Sequence, residues 1–224
     1  MPAQPYTLSL DEDTVISLLF TNKIDLCSPW PEGQAMCVLA SLTIEKIPII
    51  LNVIDRLDHT QQLNSELIPQ FADDQVIDDV ARILSDSRKT EIEYGDMGYF
   101  LLREERNLAA HRKYGENYGK GAALLGLACY KPGLIMPSSL TSAYAQIQDT
   151  MTKRTIRNLL MLRIPLIQRL LFRGLAGKFN GYSELNFFSA STKIRRGQCP
   201  RRILPELSKL DATNLKSRVE NIYW

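Results

Sequence analysis

A chain of 224 residues, 45% hydrophobic and 23% charged, has enough apolar material for one large core or two small ones, which argues against a disordered polymer. It opens MPAQPYTLSLDEDTV, without a basic segment leading into an apolar run, and it holds no apolar stretch long enough to span a bilayer, so neither secretion nor membrane insertion is expected. The net charge of +2 conceals an asymmetry: residues 1–100 hold six Lys/Arg against seventeen Asp/Glu, a net of −11, and residues 101–224 hold twenty-one against eight, a net of +13. Two arrangements account for such a split: a basic surface for phosphate backbones, or an acidic part that docks on a basic part within the chain or between subunits.

From Asp13 to Phe20 the run DTVISLLF predicts a helix, and Ser28 to Gly33 is a Pro- and Gly-containing break. Residues 35–57, AMCVLASLTIEKIPIILNVIDRL, are almost continuously apolar. Pro48 opposes one unbroken helix, so two helices meeting at the proline are expected, with strands as the alternative. So apolar a segment in a small N-terminal region suggests a homodimer or a partner subunit. The polar stretch 58–74 is expected to be a linker holding a domain boundary, separating an acidic region (1–70) from a basic one (75–205) and a C-terminal tail (206–224).

Val76, Val80, Ile83 and Leu84 follow helical spacing behind Asp74 as cap. A second helical pattern covers Tyr99 to Arg112, with Gly115 as its interruption, and a third covers Asn117 to Leu125, ended by Gly126. Lys131-Pro-Gly133 then reads as the turn of a small β-hairpin, with Ser138 or Ser139 capping the next helix. Between Thr150 and Arg173, Pro165 divides two successive helices. Lys193, Arg195, Arg196, Arg201 and Arg202 lie within ten residues, and no acid occurs between Glu184 and Glu206.

Three short helices and a hairpin between residues 76 and 140 resemble a winged helix-turn-helix, and ENYGKGAALLGLACYKPGLIMPSSLTSAYA resembles the segment that carries its recognition helix and wing. Winged-helix domains of some restriction-associated bacterial proteins are similar, with a Leu/Arg-rich helical stretch and a basic C-terminal segment; here these are RNLLMLRIPLIQRLLF (157–172) and STKIRRGQCPRR (191–202). The resemblance covers about residues 75–205. It implies a mainly α fold with a small β-hairpin wing, an acidic, mainly helical N-terminal region, and duplex DNA as partner, with RNA as the alternative polymer. A short helix in the major groove reads base edges while the wing touches the backbone. On that expectation Asn117, Tyr118 and Lys120 face the groove, and Lys131 stands at the wing tip. Arg154, Arg157, Arg163, Arg169 and Arg173, with Lys193, Arg195, Arg196, Arg201 and Arg202, contact phosphates.

Two enzymatic alternatives compete. Arg106-Asn-Leu-Ala-Ala-His111 resembles the R-x4-H pattern of HEPN ribonucleases, which implies a dimeric helical bundle cleaving RNA without metal, with Arg106 and His111 in a shared cleft. A small restriction endonuclease, or its recognition subunit, would instead bind Mg2+ through carboxylates such as Asp73, Asp74, Asp78 and Asp79, or Glu91 and Glu93. Otherwise no cofactor is expected. Cys27, Cys37, Cys129 and Cys199 form no C-x-x-C pair and the chain has only His59 and His111, so no zinc site is expected and reduced thiols fit a cytoplasmic protein. No P-loop and no G-x-S-x-G motif is present.

Overall fold

The computed structural model describes residues 12–21, 24–30, 35–87, 90–102, 106–210 and 212–224. It is mainly helical, with a small antiparallel sheet. In chain order it contains α1 (Glu12–Leu19), α2 (Ala35–Ser41), α3 (Ile47–Arg56), α4 (Gln75–Asp86), β1 (Ile92–Glu93), α5 (Tyr94–Leu102) and α6 (Leu108–Leu124). Then follow β2 (Ala128–Lys131), β3 (Leu134–Pro137), α7 (Thr141–Ala145), α8 (Thr150–Met161), α9 (Pro165–Ala176), β4 (Phe179–Asn180), α10 (Ala190–Leu207), α11 (Thr213–Glu220) and β5 (Ile222–Tyr223). Among the described residues no helix is long and apolar enough to cross a membrane.

The apolar 35–57 segment is helical on both sides of Pro48, which occupies the first turn of α3, where the missing N–H has no intrahelical partner to lose. Ile47, Ile50, Leu51 and Ile54 recur at helical spacing and are buried within the chain. Their burial therefore calls for no second copy. Buried side chains from Ile16 to Leu215 form one hydrophobic cluster, which runs through the expected boundary at 58–74 and into the C-terminal tail.

α4 buries Ile77, Val80, Ala81 and Leu84 and turns Asp79, Arg82 and Asp86 outward as i,i+3 and i,i+4 ion pairs. Asp74 holds its N-cap position through its carbonyl, which accepts from the Ile77 N–H at 3.1 Å, while its carboxylate makes no cap bond and is taken by Arg157. The break between the next two helices does not fall at Gly115. The first helix ends at Leu102 and the next begins at Leu108, where Asn107 caps α6 by accepting a hydrogen bond from the Ala110 N–H at 2.8 Å. Gly115 lies inside α6 for a steric reason: a Cβ there would stand 2.0 Å from the Tyr94 carbonyl oxygen, and one at Gly98 would stand 1.8 Å from that of His111. The two glycines bring the backbones of α5 and α6 into contact.

α6 ends as expected at Gly126. Its φ of 78° lets the Gly126 N–H reach the Ala123 carbonyl and the Leu127 N–H reach that of Ala122, closing the last turn. The chain then enters the hairpin, which reverses through Pro132-Gly133. β1 pairs with β3, giving the order β1-β3-β2, with Ile92 and Tyr130 both opposite the fully buried Ile135. The basic segment 190–207 forms α10, although Pro200 and Pro205 lie inside it.

The N-terminal elements are fastened at the corner between α8 and α9. Arg163, 2% exposed, places its guanidinium 3.8 Å over the Trp30 ring, donates from Nε to the Leu19 carbonyl at 3.0 Å and from Nη2 to the Pro29 carbonyl at 3.1 Å. Trp30 Nε1 in turn donates to the Gly126 carbonyl at 2.6 Å, and Gln168 donates to that of Phe20. Burial with no carboxylate beside it pushes the Arg163 guanidinium down to about 9, which still leaves it protonated at neutral pH.

Replacing Arg163 with Ala opens a cavity and takes the donor from the buried Leu19 carbonyl and the part-buried Pro29 carbonyl; a loss of about 3 kcal/mol is expected in urea unfolding, with Arg163→Met losing less because it refills the space. Gly115→Ala forces α5 off α6 and is expected to cost about 2–3 kcal/mol by the same measurement. A stability equal to that of the parent chain would show that the helices do not cross this closely.

Candidate nucleic-acid interface

The buried side of α6 holds His111, Gly115, Tyr118, Gly119, Ala122 and Ala123. Its outer side is a stripe at i, i+3, i+4, i+7 spacing: Ala109, Arg112 and Lys113 are exposed, Glu116 and Asn117 half-buried. Lys113 pairs with Glu116 at 2.8 Å. Lys131 is exposed at the hairpin turn, and the hairpin is held to the start of α5 by the Tyr94 hydroxyl, which donates to the Lys131 carbonyl, and by stacking of Tyr94 on Tyr130.

Starting α6 at Leu108 sets a phase that moves two expected groove residues inward. Tyr118 is 4% exposed, and its hydroxyl oxygen accepts hydrogen bonds from the Ala72 and Asp73 N–H groups at 3.2 and 3.1 Å, so it orders the loop before α4. Lys120 is 8% exposed, with its ammonium 5.5 Å over the Tyr130 ring. Burial lowers its pKa, opposed by Glu66. Asn117 alone of the three keeps a surface position, on the rim of a cleft shared with Arg195 and Arg202.

The arginines of α8 and α9 are engaged within the chain. Arg157, 3% exposed, pairs with Asp74 at 2.8 Å and with Asp78, and the Tyr144 hydroxyl donates to Asp78 at 2.6 Å. Burial raises the Asp78 pKa, while the Tyr144 and Arg157 donors pull it down. Arg157 is thus a bracket joining α4 to α8, in place of the expected phosphate contact. Arg154 pairs with Glu206, and Glu184 takes Arg169 at 3.6 Å and Arg173 at 3.2 Å. Arg218, which the charge argument did not single out, makes a two-pronged pair with Asp55. Acidic and basic halves therefore do meet inside the molecule, at Asp55, Asp74 and Asp78.

The cluster on α10 stands differently. Arg195, Arg201 and Arg202 are exposed. Arg202 donates to the Ala72 carbonyl, and Lys193 donates to Asn186 and lies 6.0 Å over Tyr182. Arg196 lies 5.6 Å over Phe188, and its Nε and Nη1 are buried without a hydrogen-bond acceptor. Burial, followed by repulsion from Arg195, lowers its pKa.

Arg106 and His111 are adjacent, but through the backbone: the Arg106 N–H donates to His111 Nε2 at 3.3 Å. His111 is 6% exposed, packed 5.7 Å from the Tyr99 ring, with Nδ1 buried and unpartnered. The ring is thus tied to the backbone just ahead of α6, with Nε2 already engaged as an acceptor. Among the described residues no group of three or more His, Cys, Asp or Glu is arranged to hold a metal ion, and Asp74 and Asp78 are committed to Arg157. Cys27, Cys129 and Cys199 are free thiols.

The outward positions missed in the sequence, Ala109, Arg112 and Lys113, had a signal in Asn107, a good cap three residues before Ala110. Arg157→Ala strands two partly buried carboxylates and is expected to lower stability by about 3 kcal/mol, part of which returns when Asp78→Asn is added. A change within about 0.5 kcal/mol, typical of a surface arginine, would contradict the bracket. Comparison of the chain with profiles of known protein families, with curated proteins and with solved structures finds no match.

Proposed function

We propose that the chain binds duplex DNA through a winged helix-turn-helix, with α6 as the helix that enters the major groove. One observation carries this reading: the order α4, β1, α5, α6, β2, β3, with strands arranged β1-β3-β2, puts α6 second in a tight helix pair and beside a hairpin. That is the arrangement in which a helix is presented to a groove and a hairpin to the adjoining backbone. The outer face of α6 suits the role, because Arg112 and Lys113 project from its first half and small Ala109 permits close approach. Lys131 adds a cation at the hairpin, although the two-residue turn gives the wing little reach. Arg201 and the Arg195 side of α10 extend the positive surface for phosphate contact, with no base information of their own.

The test is a gel shift with duplex DNA, single-stranded DNA and RNA, each at low and moderate salt. Duplex is expected to bind best. The double variant Arg112→Ala, Lys113→Ala changes two exposed residues, so it should fold normally, bind duplex about tenfold or more weakly, and lose about 2 units of the slope of log affinity against log salt. Failure of the parent chain to bind duplex at low salt, or equal binding by the double variant, would reject the reading.

A further inference from the structure

Between α6, α10 and the loop at residues 70–72 lies a cleft of about 140 Å3, lined by Gln70, Phe71, Asn117, Arg195, Gln198 and Arg202 among others. Its lining offers amide and guanidinium donors and contains no carboxylate. Arg195, Gln198 and Arg202 stand at i, i+3 and i+7 on α10, hence on one face of the helix, and all three are exposed. Arg202 is held on the rim by its bond to the Ala72 carbonyl, and that loop is itself ordered by Tyr118. Arg195 makes no ion pair among the described residues. The next residue, Arg196, adds a positive charge whose Nε and Nη1 are buried without an acceptor, and it lies close enough to Lys120 to lower that ammonium's pKa. The arginines of α8, α9 and α11 are matched by Asp74, Asp78, Glu184, Glu206 or Asp55; here the nearby acids, Glu66 and Glu116, are fewer than the cations around them.

We propose that this cleft is a phosphate seat, filled by one backbone phosphate of the strand that lies along α6. The inference rests on the DNA-binding reading and deepens it by naming a contact on a second element. Size allows a phosphate of a longer strand: 140 Å3 lies below the roughly 300 Å3 from which pockets for whole small molecules begin. Continuity supports the strand as its source, because Asn117 belongs both to the cleft and to the outer stripe of α6. The chemistry is that of a guanidinium fork and amides around an oxyanion, where charge-assisted hydrogen bonds are about twice as strong as neutral ones.

The experiment compares the parent chain with Arg195→Gln and Arg195→Lys, titrating duplex DNA across about 50 to 200 mM salt and, separately, inorganic phosphate by calorimetry. Arg195→Gln is expected to keep the parent melting temperature, weaken duplex binding several-fold and reduce the salt slope by about 1, and Arg195→Lys is expected to restore the slope. Duplex binding by Arg195→Gln with the parent affinity and slope would overturn the seat and leave the α6 reading standing. Arg195-dependent binding of inorganic phosphate, with no duplex binding by the parent chain, would overturn the strand as its source together with the α6 reading. Absence of both kinds of binding would overturn the seat outright.

Discussion

A guanidinium buried against an indole organises this molecule. Arg163 lies in the corner between α8 and α9, and from there it holds the last carbonyl of α1, the Pro29 carbonyl and the face of Trp30, whose own N–H closes on the end of α6. A fully buried arginine without a carboxylate is costly, since it exchanges hydration for neutral acceptors. What offsets that cost is geometry: two carbonyl oxygens and one π-face converge on the planar head, so segments more than a hundred residues apart are locked by one side chain. Described apolar residues of the acidic N-terminal stretch share one hydrophobic cluster with those of the C-terminal helices. They complete the core around which α6, α8 and α9 are arranged.

The same geometry explains how charge is divided. Arg157, Arg218, Arg169 and Arg173 have carboxylate partners, and with Arg163 they account for five of the twenty-one Lys/Arg of the C-terminal half. These are internal brackets, and their removal should be read in stability. Exposed cations stand on the outer stripe of α6, at the hairpin turn and along α10, as well as at scattered positions such as Arg56, Lys178 and Lys216. An excess of basic residues in the chain is thus not itself a binding surface; what matters is which cations the fold leaves at the surface and side by side.

Positioning of α6 depends on the contact between two glycines and two backbones. Gly98 and Gly115 let α5 and α6 approach until carbonyl oxygens fill the places of side chains, which fixes how far α6 stands from the sheet and which of its residues point away from it. Tyr118 and Tyr94 carry that placement outward, one to the loop bordering the cleft and the other to the hairpin. The exposed cations of α6 and of the hairpin are consequently placed by the same contacts, with Arg202 of α10 joined to them through the Ala72 carbonyl, so that a duplex bound as proposed would meet them together.

The mainly helical content, the helices on either side of Pro48 and Pro165, the hairpin at Lys131-Pro-Gly133 and the stop at Gly126 were all legible in the residues alone. Each depends on interactions within a few positions: a missing N–H, a positive φ, a short apolar period. The phase of α6 was not legible, because Gly115 looks like a breaker until a second backbone is found pressed against it, and shifting the helix start from Asn117 to Leu108 turns Tyr118 and Lys120 inward and Arg112 and Lys113 outward. Nor was the allocation of arginines legible. Arg157 and Arg195 look alike in sequence, and only tertiary packing, by placing Asp74 and Asp78 beside one and leaving the other exposed with no ion pair among the described residues, decided which is a bracket and which stands at the surface.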